Sequence, residues 1–237
     1  MFSVGTQWNP LQARLRELLG KKESFAEAKA LLEDMHGLLH TREVSDRSSP
    51  TLMDEVWENL SDHAFQTMPT AADVTVAWNI WHITRIEDLT CNLLMADGNQ
   101  VLDGVWQSRL HTQVRDTGNA MTDEEILSFS NEVDRATLRE YRDAVGKRTR
   151  EVIAGLAGGD LQRKFEKRQV DRILEEGGVT VHPDSIWLMD FWGKKNVAGI
   201  LLMPITRHQM GHLNECLKLK EKCKRLSLAK VKAEVTG

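Results

Sequence analysis

The sequence is short of several things at once, and each shortage closes off a class of protein. It has one tyrosine and five prolines in 237 residues, and its β-branched residues come only in short runs, so helices are favoured over sheets. Its three cysteines, Cys91, Cys216 and Cys223, are odd in number and far apart; they form no disulfide framework and suit a reducing cytoplasm. No apolar stretch reaches the roughly 18 residues of a bilayer-spanning helix, and the longest, Val197–Ile205, is interrupted by Pro204. The first ten residues lack the charged start and apolar centre of a secretory signal. Neither sign of charge dominates, since 31 basic and 35 acidic side chains leave a formal net charge of -4. That argues against nucleic acid or a membrane as a partner. HExxH, GxSxG, the P-loop, GxGxxG and CxxC are all missing, so the catalytic and metal-binding templates built on those motifs do not apply.

What remains is an ordinary globular composition, 41% hydrophobic and 28% charged, in a chain long enough for one large domain with a well-buried core. Apolar residues recur at helical spacing in four long segments. Ser24 with Glu27 forms a capping box and opens a helix over 24–42, with Phe25, Ala28, Leu32, Met35 and Leu39 inward. Residues 51–66 read as a shorter helix. A long one over 73–95 carries the stripe Val76, Ile80, Ile83, Leu89 and Leu93 and stops at Asp97-Gly98. Residues 102–118 suggest a short helix and a loop. Thr122 with Glu125 opens a single helix to about Leu156. Shorter helical pieces over 161–175 and 184–192 precede the last long helix, Asn196 to about Leu226, in which Pro204 predicts a kink near Ile200–Leu201. The expected fold is all-α: a four-helix bundle with additional short helices and an insertion before the last helix. It should occupy 24–226, between an N-terminal extension (1–23) and a C-terminal tail (227–237). The lysine-rich end, 218–232, reads as a solvated helix terminus complementing the macrodipole.

Histidines carry the functional signal. His208 and His212 form an HxxxH pair on the last long helix. Four residues advance a helix about 40° around its axis and about 6 Å along it, so both imidazoles point the same way and can share an ion. His82 stands alone in a largely apolar run of the 73–95 helix. Three histidines from two facing helices would make a metal site with open coordination positions. Glu215, on the same face as the pair, is a candidate outer acceptor, fourth ligand or general base. Cys216, one turn beyond His212, reads as core. A second HxxxH pair, His36 and His40, competes for the ion or offers His40 as an acid/base group near neutral pH. His63, His111 and His182 read as surface residues. Glu33 with His36 is the one Glu-x-x-His pair; a di-iron carboxylate bundle requires two.

The helix "WNIWHITRIEDL" (Trp78–Leu89), followed much later by "RHQMGHLNE" (Arg207–Glu215), resembles the DinB-like superfamily of DNA-damage-inducible and bacillithiol- or mycothiol-transferase-related proteins. The resemblance covers about residues 25–225 and departs from the family's HxxxHxGQL-like motif, since Gly211 precedes the second histidine and "HLNE" replaces "HxGQL". It implies a four-helix bundle whose metal ligands are His82, His208 and His212, with a divalent transition metal, zinc or nickel, as cofactor. It implies a thiol transferase or hydrolase acting on a small molecule, such as a low-molecular-weight thiol, or else a metal-binding stress-response protein without turnover. Leu161–Phe191 exceeds what a minimal family member needs and is expected to shape a pocket or lid. Seven tryptophans and the apolar helix faces leave room for a homodimer.

Overall fold

The computed structural model describes the backbone of residues 3–236 and side chains as far as residue 229. Its described residues are helices and connections; a single isolated bridge, Lys164 to Asn196, is the sole β pairing among them. Helix α1 (Asn9–Leu19) has Pro10 in its first turn, where a missing N–H leaves nothing unpaired. It buries Leu15, Leu18 and Leu19 and packs on α2 (Phe25–Leu39), so part of the segment read as an extension is ordered helix.

After α3 (Arg42–Ser45), the helix expected over 51–66 is two helices, α4 (Leu52–Trp57) and α5 (Asp62–Gln66). Glu58 turns extended, Asn59 adopts a positive φ, and the Ser61 hydroxyl caps α5 by accepting from the Ala64 N–H. The long helix at 73–95 keeps α geometry only over α6 (Val76–Asp88), then widens into a π-helical stretch, Leu89–Met95. Past α7 (Gly104–Leu110), the single helix expected from Thr122 to Leu156 is also two, α8 (Asp123–Glu132) and α9 (Arg135–Gly155). Asp134 makes the break, its carboxylate accepting from the Thr137 N–H at 2.7 Å as a new N-cap. Ile126, Phe129, Val133, Leu138, Tyr141 and Val145 are buried on both sides of it, so the apolar rhythm runs through and hides the cap.

Helices α10 (Lys167–Glu175) and α11 (Pro183–Gly193) fill the insertion ahead of α12 (Val197–Leu202) and α13 (His208–Thr236). Between the last two the chain stays helical but opens into a π turn, Met203–Arg207. The break caused by Pro204 therefore lies a few residues later than Ile200–Leu201. Side chains take up carbonyls around the widened turn: Leu201 O accepts from the Thr206 hydroxyl at 2.8 Å and Leu202 O from the Gln12 amide at 2.9 Å.

Helices α2, α6, α9 and α13 close a four-helix bundle, with α6 packed against both α9 and α13, and α2 touching the same two. Every residue of α6 but Trp78 is buried, although the helix carries Asn79, His82, Arg85, Glu87 and Asp88. A helix buried on all sides needs partners for each polar group it takes in. Asp88 shows how fully they are met: it accepts from Arg85, Asn92, the Val101 and Leu102 N–H groups and, at 2.6 Å, from Tyr141, the chain's one tyrosine.

Candidate metal centre

The structure brings His82 of α6 together with His208 and His212, one turn apart at the start of α13. One ring nitrogen from each lies within 4.8 Å of the others, and the His82 and His208 Nε2 atoms are 3.2 Å apart. Two metal–nitrogen bonds of about 2.0–2.1 Å at a tetrahedral angle span about 3.3 Å, so this edge has the length a shared ion requires.

Partners on the outer ring atoms set the tautomers. His82 Nδ1 lies 2.7 Å from the Thr117 carbonyl, which can only accept, so Nδ1 carries the proton and Nε2 presents its lone pair. His212 Nδ1 donates likewise to Asn79 Oδ1 at 2.6 Å, while the Asn79 amide donates to the Thr75 carbonyl. His208 Nδ1 is buried without a partner, and its Nε2 faces the other rings. Burial, with His212 close by, pushes the His82 imidazole down to about 3. Burial and the two neighbouring imidazoles push His208 well below the ordinary histidine value. Both rings are therefore neutral, the form that binds metal.

A strip of loop fixes the α6 side of this arrangement. The carbonyls of four consecutive residues, Arg115, Asp116, Thr117 and Gly118, accept from Arg85, Trp81, His82 and Trp78 in turn, at 2.7–3.1 Å. Trp78 also stacks on the His82 ring, 4.6 Å between centroids and 10° from parallel. Gly118 lets the strip run so close: its φ is +75°, and a Cβ there would sit 2.7 Å from Trp78 Nε1. A sequence search for ligands passes over Asn79, Trp78 and Thr117. The signal for the first two is that they stand three and four residues before His82 and share its face; the Thr117 carbonyl leaves no signal.

Glu215 Oε2 stands 3.4 Å from His212 Nδ1 on a side chain 42% exposed. It is thus beside the nitrogen that faces Asn79, in the place of an outer acceptor. Cys216 is buried core, and burial raises its thiol pKa beyond the reactive range. His63, His111 and His182 are exposed, as expected of surface residues.

The sequence profile of the DinB superfamily matches residues 46–216, most of the chain and the part that holds all three histidines. The protein belongs to the DinB superfamily. No curated protein matches it.

The second HxxxH pair of this DinB protein lies ahead of the matched stretch. The structure does not bring His40 or His36 to the trio; both are completely buried around Glu87. His36 Nε2 and His40 Nε2 donate to the two Glu87 oxygens at 2.8 and 3.0 Å, and the Gln209 amide donates to one of them at 2.8 Å. Arg142, 3.9 Å from Glu87, bonds Gln209 Oε1 as well. Burial works to raise the Glu87 pKa, but His40 and His36 outweigh it and hold the carboxyl well below its usual range. His36, His40 and Glu87 have the donor types and proximity to hold an ion. The guanidinium of Arg142 and the donors already on the carboxylate oppose a cation there. We read the cluster as a buried network that ties α2, α6, α9 and α13 together and, through Gln209, anchors the residue next to His208.

Proposed function

We propose that this protein is a metal-dependent enzyme whose reacting centre is a divalent ion held by His82, His208 and His212, and that it carries out thiol transfer or hydrolysis on a small molecule. The observation that carries the reading is the convergence of three imidazoles with two of their outer nitrogens locked by dedicated acceptors. Such an outer layer is how metal-binding histidines are oriented, and here it leaves the inner nitrogens of His82 and His212 free to face one another and His208, whereas His36 and His40 turn their Nε2 atoms onto Glu87. Zinc or nickel suits an all-imidazole set. Bound there, the ion would supply Lewis acidity that lowers the pKa of a water or thiol at an open position towards neutrality.

The chain's own residues do the rest. Thr117 and Asn79 keep the outer protons of His82 and His212 in place, so that both rings turn a lone pair inward. Trp78 covers one face of His82 and keeps water from it. His82 and His208 form part of the wall of a cavity completed by α11 and the Met203–Pro204 turn, and this is where a substrate would meet the centre. Glu215, 3.4 Å from His212 Nδ1, stands as a reserve acceptor beside Asn79. His40 takes no part as a general base, because its proton is committed to Glu87 inside the core.

The test is a turnover screen of metal-loaded protein against low-molecular-weight thiols paired with electrophiles, and against ester and amide substrates. Turnover that disappears in the His208→Ala/His212→Ala variant supports the enzyme. Full metal occupancy with no turnover in any pairing would favour a metal-binding protein without catalysis.

A further inference from the structure

The cavity beside the trio has a chemical character of its own. It holds about 160 Å³, close to the roughly 150 Å³ of an engineered apolar cavity that takes up benzene. Four of its lining residues, Trp187, Leu188, Phe191 and Trp192, come from α11, inside the insertion. Ile86, Met203 and Pro204 add further apolar wall. No carboxylate, ammonium or guanidinium lines it, and besides the two histidines Asn119 is the one polar side chain of the lining. A charged group entering it would lose its hydration with no counter-charge to meet.

The wall is also graded. Leu188 and Trp192 are 3% and 1% exposed, whereas Trp187 is 48% exposed, its ring edge-to-face with Phe191 at 5.6 Å. The first two are floor and the last is at the mouth. Trp187, half in water and lining the same cavity, is placed to cover a ring bound inside it.

We propose that this cavity binds an uncharged, benzene-sized apolar group of the substrate, with the polar, reacting end of the molecule directed at His82, His208 and Asn119. As a substrate pocket it rests on the reading of the trio as the reacting centre; as an apolar binding cavity it does not, and the experiment separates the two.

Metal-free protein is titrated with benzyl alcohol, benzoate and benzylamine, following tryptophan fluorescence and ligand-observed NMR. Saturable binding of benzyl alcohol, at least tenfold tighter than either charged probe, is expected. Leu188→Trp should fill the cavity and abolish that binding while leaving the thermal melt in place. Should that variant fail to fold, Phe191→Ala serves instead: it widens the site near the mouth and should bind 2-naphthylmethanol at least tenfold better than the natural protein does. No saturable binding of benzyl alcohol, or equal binding of the charged probes, would overturn the proposal, as would failure of Phe191→Ala to gain the larger ring. A second titration compares benzyl mercaptan with benzyl alcohol on zinc-loaded protein. Neutral-ring binding to the metal-free protein without any thiol preference in the loaded one would leave the cavity standing and count against the reacting centre alone.

Discussion

Asn79 is the residue whose replacement most sharply separates a built metal centre from a chance cluster. Its Oδ1 is the acceptor for His212 Nδ1 at 2.6 Å, and it is completely buried. Asn79→Leu keeps the volume and removes the acceptor. The fold should tolerate this, because the Thr75 carbonyl, which loses the Asn79 amide, still accepts the backbone N–H of residue 79 at 3.2 Å. Loss of such an outer partner typically costs 10–100-fold in metal affinity, or about 1.4–2.7 kcal/mol. The structure places Asn79→Leu at the low end, since Glu215 stands 3.4 Å from the same nitrogen and can take over as acceptor. Glu215→Ala alone should change little, because the carboxylate is long-range and half in water. The double variant, with neither acceptor, should lose more than the product of the single effects, towards the 100-fold end. Competition titrations of zinc against a chromophoric chelator read all four proteins. A double variant within twofold of the natural protein would refute the reasoning, because the Nδ1 side of His212 would then have no bearing on metal.

Two further perturbations follow from the same packing. Burial pushes the His40 imidazole down to about 3 from an ordinary value of 6.5, so between those limits the folded chain binds fewer protons than the unfolded one; the stability His40 contributes is whole above about pH 6.5 and declines as pH falls, by about 1.4 kcal/mol per unit, or about 2 kcal/mol at pH 5. Urea titrations of metal-free natural protein and His40→Gln should therefore show the smaller pH dependence in the variant, and parallel curves would contradict it. Gly118→Ala puts a Cβ against Trp78 Nε1 at a positive φ, which should cost about 1–3 kcal/mol and lower the melting temperature by about 2–4 °C for each of them; an unchanged melt would mean that the loop strip is not held as described.

Much of the bundle was legible because helical burial repeats with a fixed period. The apolar positions of α2, α6, α9 and α13 lie inward as their spacing requires, and the trio follows from an HxxxH pair and a lone histidine on facing helices. The misplaced boundaries share one cause. Asp134 and Ser61 end and restart helices through side-chain caps that leave the apolar rhythm undisturbed, and π-helical stretches alter the winding where sequence still reads as ordinary helix. Pro204 announced a break, but its position depends on how Thr206 and Gln12 pair with the carbonyls nearby, and Gln12 lies near the other end of the chain. His36 and His40 could not be told from the trio by spacing, because what distinguishes them is Glu87 between their rings, a contact 47 and 51 residues away in sequence. The acceptors of His82 and His212 were out of reach for different reasons: a backbone carbonyl has no letter, and a buried asparagine declares no partner.

The central claim is that His82, His208 and His212 hold a divalent ion. Metal analysis of protein purified without a histidine tag, before and after adding zinc or nickel, tests it most directly. About one equivalent per chain is expected, lost in His208→Ala/His212→Ala and kept in His36→Ala/His40→Ala. Less than about one-tenth of an equivalent after metal addition, or binding that follows His36 and His40 instead, would contradict it.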